Sequence, residues 1–150
     1  MKILFAILLF AVAGRECENR AALQNTGQKE NISFQYKALS RGSFYEVVIS
    51  PETISVQKSR DKAAKTLAKM DDKDWQDLLA VLDKIDVTQI RELKAPTDKR
   101  LYDGAAHAEL IITREGKAYR TSGFDHGYPP EEVEPLVKTI LALAETVEKQ

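Results

Sequence analysis

One cysteine in 150 residues, Cys17, rules out any disulfide within the chain. The seven glycines stand singly, so no glycine-rich loop is available to cradle a phosphate, and no G-x-S-x-G elbow offers a serine nucleophile. Excess charge of one sign is missing too. Lysine and arginine number 22 against 23 aspartates and glutamates, interspersed throughout, for a formal net charge of −1. Without a basic stripe interleaved with aromatics, nucleic-acid binding has no electrostatic footprint. Long apolar runs are absent as well. Residues 3–12 form an uncharged stretch of ten, which as a helix spans ~15 Å, about half the hydrocarbon core of a bilayer. A transmembrane helix is therefore not expected, and no cofactor fingerprint is present.

What is there begins with that short run. Lys2 precedes it, and Ala11-Val12-Ala13 ends it in an A-x-A pattern, which reads as a secretory signal over residues 1–13. The alternative is a buried N-terminal strand or helix. Cleavage would remove Lys2 and no acid, shifting the balance one unit further toward the acid side. Cys17 follows closely, and a lone thiol near an export signal raises lipidation as a second reading. Gly14-Arg15-Glu16 stands where a lipoprotein signal carries small and apolar residues, so free secretion is preferred and a lipid anchor at Cys17 is the alternative. Residues 14–30 are polar and aperiodic, a flexible tether. Residues 31–150 are then one domain by length.

Within that domain, Ile32, Phe34, Tyr36 and Ala38 alternate with polar residues, the mark of a half-buried strand. Tyr45, Val47 and Ile49 form a second strand; after a turn at Pro51-Glu52, Ile54 and Val56 form a third. The register that places Ile49 opposite Ile54 and Val47 opposite Val56 gathers all the apolar groups. Residues 59–70 fit a loop, an edge strand or a helical turn. Trp75, Leu78, Leu79, Leu82 and Ile85 then recur with helical spacing behind Asp71-Asp72, which can cap. A short helical turn at 87–93 and a loop lead to a hairpin turning at Glu115-Gly116. The closing helix carries the stripe Val133, Leu136, Val137, Ile140, Leu141, Ala144 and Val147, with Pro135 in its first turn and acids at its start.

The expected fold is α+β: one domain, an antiparallel sheet of about five strands, and two amphipathic helices on one face in the order β-β-β-α-β-β-α. Two strand–turn–strand–helix halves hint at a ββα duplication. In this layout the W…LL…L..I helix, the APT…YDG loop and the closing FDHG-PP-helix resemble small exported proteins of Bacteroidota-type bacteria, a domain family of unknown function. The likeness covers residues 32–144. It implies export and the α+β fold, and it assigns no catalytic residues.

The chemistry worth testing lies at one end of the second hairpin. His107 and Glu109 alternate with Ala106, Ala108, Leu110 and Ile112, so they face away from the core. A two-residue turn sets Arg114 opposite Lys117, Ile112 opposite Tyr119, Glu109 opposite Ser122 and His107 opposite Phe124; a glycine bulge would shift this by one. His107 then ends near Asp125-His126, with Asp103 close by. Asp103, His107, Glu109, Asp125 and His126 are thus candidate ligands for a metal or small molecule. The competing reading makes GFDHGYPP a structural turn: Asp125 accepts backbone N–H groups, Gly127 supplies a positive φ, and the prolines stiffen the approach to the last helix. Two function classes follow. One is a non-enzymatic secreted or envelope module that binds a protein or polymer through an open sheet face bearing Ser33, Gln35, Lys37, Glu46, Ser55, Gln57, His107, Glu109 and Arg120. The other is a metal-dependent or acid–base envelope hydrolase built on His107 and His126.

Overall fold

The computed structural model describes residues 31–149. The expected signal peptide, the tether and Cys17 lie outside the described residues. The chain runs β1 (Ile32–Leu39), β2 (Phe44–Ile49), β3 (Thr53–Gln57), β4 (Lys65–Lys69), α1 (Asp72–Leu82), β5 (His107–Arg114), β6 (Lys117–Arg120), β7 (Phe124–Asp125) and α2 (Glu134–Glu148). Short 3-10 turns occupy Lys62–Ala64, Lys99–Tyr102 and Glu131–Val133. The strands form one open antiparallel sheet in the order β4-β3-β2-β1-β5-β6, and β7 pairs with β5 beyond the end of β6. The class is α+β as expected, but the sheet has seven strands rather than about five.

The two added strands have plain causes. β4 comes from the segment that fitted three readings. Lys65, Thr66 and Leu67 are all exposed, so no alternation marks it, yet its backbone completes β3 with Lys65 opposite Gln57 and Lys69 opposite Thr53. β7 arises because the β5–β6 register slips. Arg114 pairs with Lys117 and Ile112 with Tyr119, as expected, but His107 pairs with Asp125 and Ala108 with Phe124. Leu110 still meets Thr121, whose N–H donates to the Leu110 carbonyl at 3.0 Å. Ser122 and Gly123 together oppose Glu109 alone, which is a β-bulge. The residues at 87–93 form turns rather than helix, pinned by the buried Ile90.

β1 is central, and its alternation is complete: Ile32, Phe34, Tyr36 and Ala38 are buried, and Ser33, Gln35, Lys37 and Leu39 are half-buried. The first hairpin has the register that the apolar pattern required, with Ile49 opposite Ile54 and Val47 opposite Val56. Both helices cover the Phe34–Tyr36 face. In α1, Asp71 Oδ1 accepts the Lys73 N–H at 2.8 Å as the N-cap, and Trp75, Leu78 and Leu82 are buried. The Trp75 ring stands edge-on to Phe34, centroids 5.8 Å apart. α2 buries Leu136, Val137, Ile140, Ala144 and Val147 against α1 and strands β2 to β4, with Pro135 in its first turn. Among the described residues no helix is long and apolar enough to cross a membrane.

The opposite face is less wet than the sequence suggested. Ser55 and Gln57 are buried, Gln57 Nε2 donating to the Ser59 carbonyl at 2.7 Å, and Ile111 is nearly so. Its polar groups are partnered across the strands: Gln35 Nε2 donates to Glu46 Oε1 at 2.8 Å, Lys37 pairs with Glu46 at 3.7 Å, and Arg120 pairs with Glu109 at 3.4 Å.

Candidate functional site

The stretch after β7 turns tightly. The Tyr128 N–H donates to the Asp125 carbonyl at 2.8 Å, and Gly127 in between has φ 84°, a backbone that L residues resist. Pro129 and Pro130 are buried where the chain enters α2. The turn reading of FDHG holds here, but Asp125 does something that reading did not include.

Its carboxylate is wholly buried and binds a segment 25 to 28 residues upstream. Oδ2 accepts from Thr97 Oγ1 at 2.6 Å and from the Lys99 N–H at 2.8 Å. Oδ1 accepts from the Arg100 N–H at 2.9 Å and from Arg100 Nη1 at 3.2 Å. Burial alone would push this carboxyl's pKa up. The hydrogen bonds from Thr97 and from the backbone and side chain around Arg100 outweigh it and hold the pKa well below the usual carboxylate range. The Arg100 guanidinium is itself held, donating to the Thr97 carbonyl at 2.7 Å and pairing with Asp98 at 3.1 Å. Four donors on one buried anion fasten the 97–102 loop to β7.

The fastened loop carries its apolar side chains outward. Of the four large hydrophobic residues exposed among the described residues, two lie on this loop, Leu101 (73% exposed) and Tyr102 (71%), and a third, Tyr128 (52%), lies on the turn after β7. Lys99 Nζ sits 5.3 Å from the centroid of the Tyr128 ring, a cation–π distance that links loop and turn. Asp103 closes the loop in a left-handed conformation with φ 60°, and Arg41 from the β1–β2 turn reaches it at 3.3 Å. The stapled loop and the turn it is fastened to thus both carry exposed apolar side chains, with Lys99 between them. Sequence reasoning passed over Leu101, Tyr102 and Tyr128. The available signal was KRLYDG, a bulky apolar pair set among charges with no periodic partner to bury it.

Of the residues singled out from the sequence, His107 and Asp125 come opposite each other across the β5–β7 pair, and the rest do not join them. Asp103 is at the surface with Arg41, and Glu109 is paired with Arg120. The His107 ring is exposed on the open face and lies over Gly123, in the space a side chain there would fill. His126 lies on the helix-bearing face, where its Nδ1 is 2.8 Å from the Tyr36 hydroxyl and its ring packs near Tyr36 and Tyr45. Among the described residues, no three histidine, cysteine or acidic side chains are grouped to hold a metal ion. His126 Nδ1 faces Tyr36 while the His107 ring lies over Gly123, so the two imidazoles share no centre.

Burial raises the Tyr36 phenol to about 12, against a lowering hydrogen bond from the Gly127 backbone. Its hydroxyl shares a hydrogen bond with His126 Nδ1. Partial burial lowers the His126 pKa. Beside it the Tyr45 phenol is also raised, by burial first and then by the charge and hydrogen bond of Glu148. These groups fasten the end of α2 to the sheet.

The sequence matches no protein-family model and no curated protein.

Proposed function

We propose that the protein is an exported, envelope-associated binding module without catalytic activity, which grips a protein partner through the tip formed by Leu101, Tyr102 and Tyr128. Export rests on the signal-like residues 1–13, and the kinship with small exported Bacteroidota-type proteins belongs to the same proposal. The observation that carries the reading is the Asp125 staple. A loop ordered by four hydrogen bonds to a buried carboxylate nevertheless presents Leu101 and Tyr102 to water, and Tyr128 on the adjoining turn is exposed as well. Apolar side chains held rigid and exposed lose little conformational entropy on docking, and tyrosine supplies both contact area and a polar end. The partner's matching surface is an apolar hollow with an acidic rim facing Lys99. The open sheet face is a weaker choice, because its charges already satisfy one another.

Photo-crosslinking in producing cells tests this. A photoreactive phenylalanine analogue placed at Tyr102 and, separately, at Tyr128 should give the same discrete adduct. Placed at Leu67, the fourth exposed hydrophobe, it should not. Leu101→Ser should abolish the adduct with the melting temperature unchanged. No adduct from either tip position, or the same pattern from Leu67, refutes the reading.

A further inference from the structure

A second surface lies at the other side of the bulge, along β6. Among the described residues this strand is the sheet's edge and pairs only with β5. In an antiparallel pair, opposed residues alternate between those that exchange hydrogen bonds and those that do not. Arg114 and Lys117 flank the two-residue turn, and Leu110 bonds Thr121 through the backbone, so Lys117, Tyr119 and Thr121 face β5. Ala118 and Arg120 therefore turn their N–H and C=O groups outward. They turn them into a groove of about 380 Å³ whose far wall is the turn at 87–91. The groove continues past Arg91 and Arg120 into a second hollow of about 340 Å³. Ser122 Oγ bonds the Arg91 carbonyl at 2.6 Å and fixes the distance between the walls. Three cations, Arg91, Lys117 and Arg120, line these hollows, Arg120 also reaching Glu109 at 3.4 Å on the open face, and among the described residues no acid lines them.

We infer that this groove takes an extended acidic peptide, added to β6 as a further strand. Two features point to that occupant: outward backbone groups that only another strand satisfies in series, and a rim of one charge sign. β4, the opposite edge among the described residues, carries the exposed Lys65 and Lys69, and lysines are the usual protection of an edge against pairing. β6 has a wall in addition, so a peptide of about four residues can lie between two surfaces.

The test is fluorescence anisotropy with purified full chain and a labelled hexapeptide alternating glutamate and valine, with the lysine–valine peptide as control. The native protein should bind the acidic peptide and not the basic one, more weakly as salt rises. Ala118→Pro removes an outward N–H and leaves the β5–β6 ladder intact, a position where an edge strand tolerates proline. It should weaken binding at least tenfold, as should Arg91→Glu combined with Arg120→Glu. Independently of any variant, the peptide should slow hydrogen exchange at the Ala118 and Arg120 amides of the native protein. Absence of binding, equal binding by Ala118→Pro, or unchanged exchange at those amides overturns the proposal. Crosslinks from Tyr102 or Tyr128 bear on the tip alone, so the two readings fail separately.

Discussion

Gly123→Ala is the substitution that most directly asks what His107 is for. Gly123 has no positive φ, so its backbone accepts any residue. The difficulty is space: a Cβ built there overlaps Cε1 and Nε2 of His107. Because His107 is exposed, its ring can leave, and what is lost is its preferred rotamer and its seat on the glycine. A displaced rotamer of that kind costs about 0.5–1.5 kcal/mol. Gly123→Ala should therefore destabilise by about 1 kcal/mol. With His107→Ala already in place, the same change should be neutral or stabilising by a few tenths, since alanine restricts the unfolded chain. The coupling energy is then about 1 kcal/mol, well above the few tenths at which distant sites depart from additivity. Gly127→Ala serves as the contrast. Nothing lies within 4 Å of the added Cβ, so its cost is the left-handed backbone alone, about 1–2 kcal/mol, and it should be indifferent to His107. Urea denaturation followed by circular dichroism, with all variants sharing one m-value, gives the four corners of the cycle. An equal cost of Gly123→Ala with and without His107 would refute the packing argument.

Trp75→Ala should cost about 3–5 kcal/mol, because the indole is buried and stands edge-on to Phe34; an unchanged denaturation midpoint would place that ring outside the core. Stability should also fall in two acid windows. His126 has a folded pKa lowered by burial, so it disfavours the fold as pH drops below its unfolded value of about 6.5. Asp125 likewise has a lowered folded pKa, so its contribution is complete above about pH 4 and is lost as pH falls through the folded value. Asp125→Asn should flatten only the lower window, and a melting profile that keeps its full slope below pH 4 in that variant sinks the assignment.

Much of this fold is legible because burial on one side leaves a period. β1 reads directly from Ile32, Phe34, Tyr36 and Ala38, and the stripe from Leu136 to Val147 reads as α2, because each faces one apolar surface. The first hairpin's register follows from the same cause: a slip of one residue would turn Val47, Ile49, Ile54 and Val56 to water. β4 is illegible for the complementary reason, since exposed Lys65, Thr66 and Leu67 leave no period to read. Nearness along a sheet edge, on which the five candidate ligands were grouped, does not decide the face. Strand alternation sends His107 one way, and the turn at Gly127 seats His126 against Tyr36 on the other side. The Asp125–Arg100 staple joins segments far apart in sequence, and no pattern local to either predicts it.

The tip inverts the ordinary distribution of side chains: an acid goes inside and a leucine and two tyrosines stay out. A buried carboxylate is costly unless fully hydrogen-bonded, and an apolar residue in its place would remove that demand. What an apolar residue cannot do is accept the Lys99 and Arg100 N–H groups and the Thr97 hydroxyl together. Those groups fix the backbone from which Leu101 and Tyr102 project. Hydrophobic packing could have fixed the loop instead, but only by drawing Leu101 and Tyr102 inward as the packing groups. Holding a short loop still while keeping its own apolar side chains on the surface requires an anchor of another chemistry. A buried anion facing backbone N–H groups is such an anchor. Under the proposed function Asp125 serves the docking surface without reaching it, by fixing the backbone from which Leu101 and Tyr102 project.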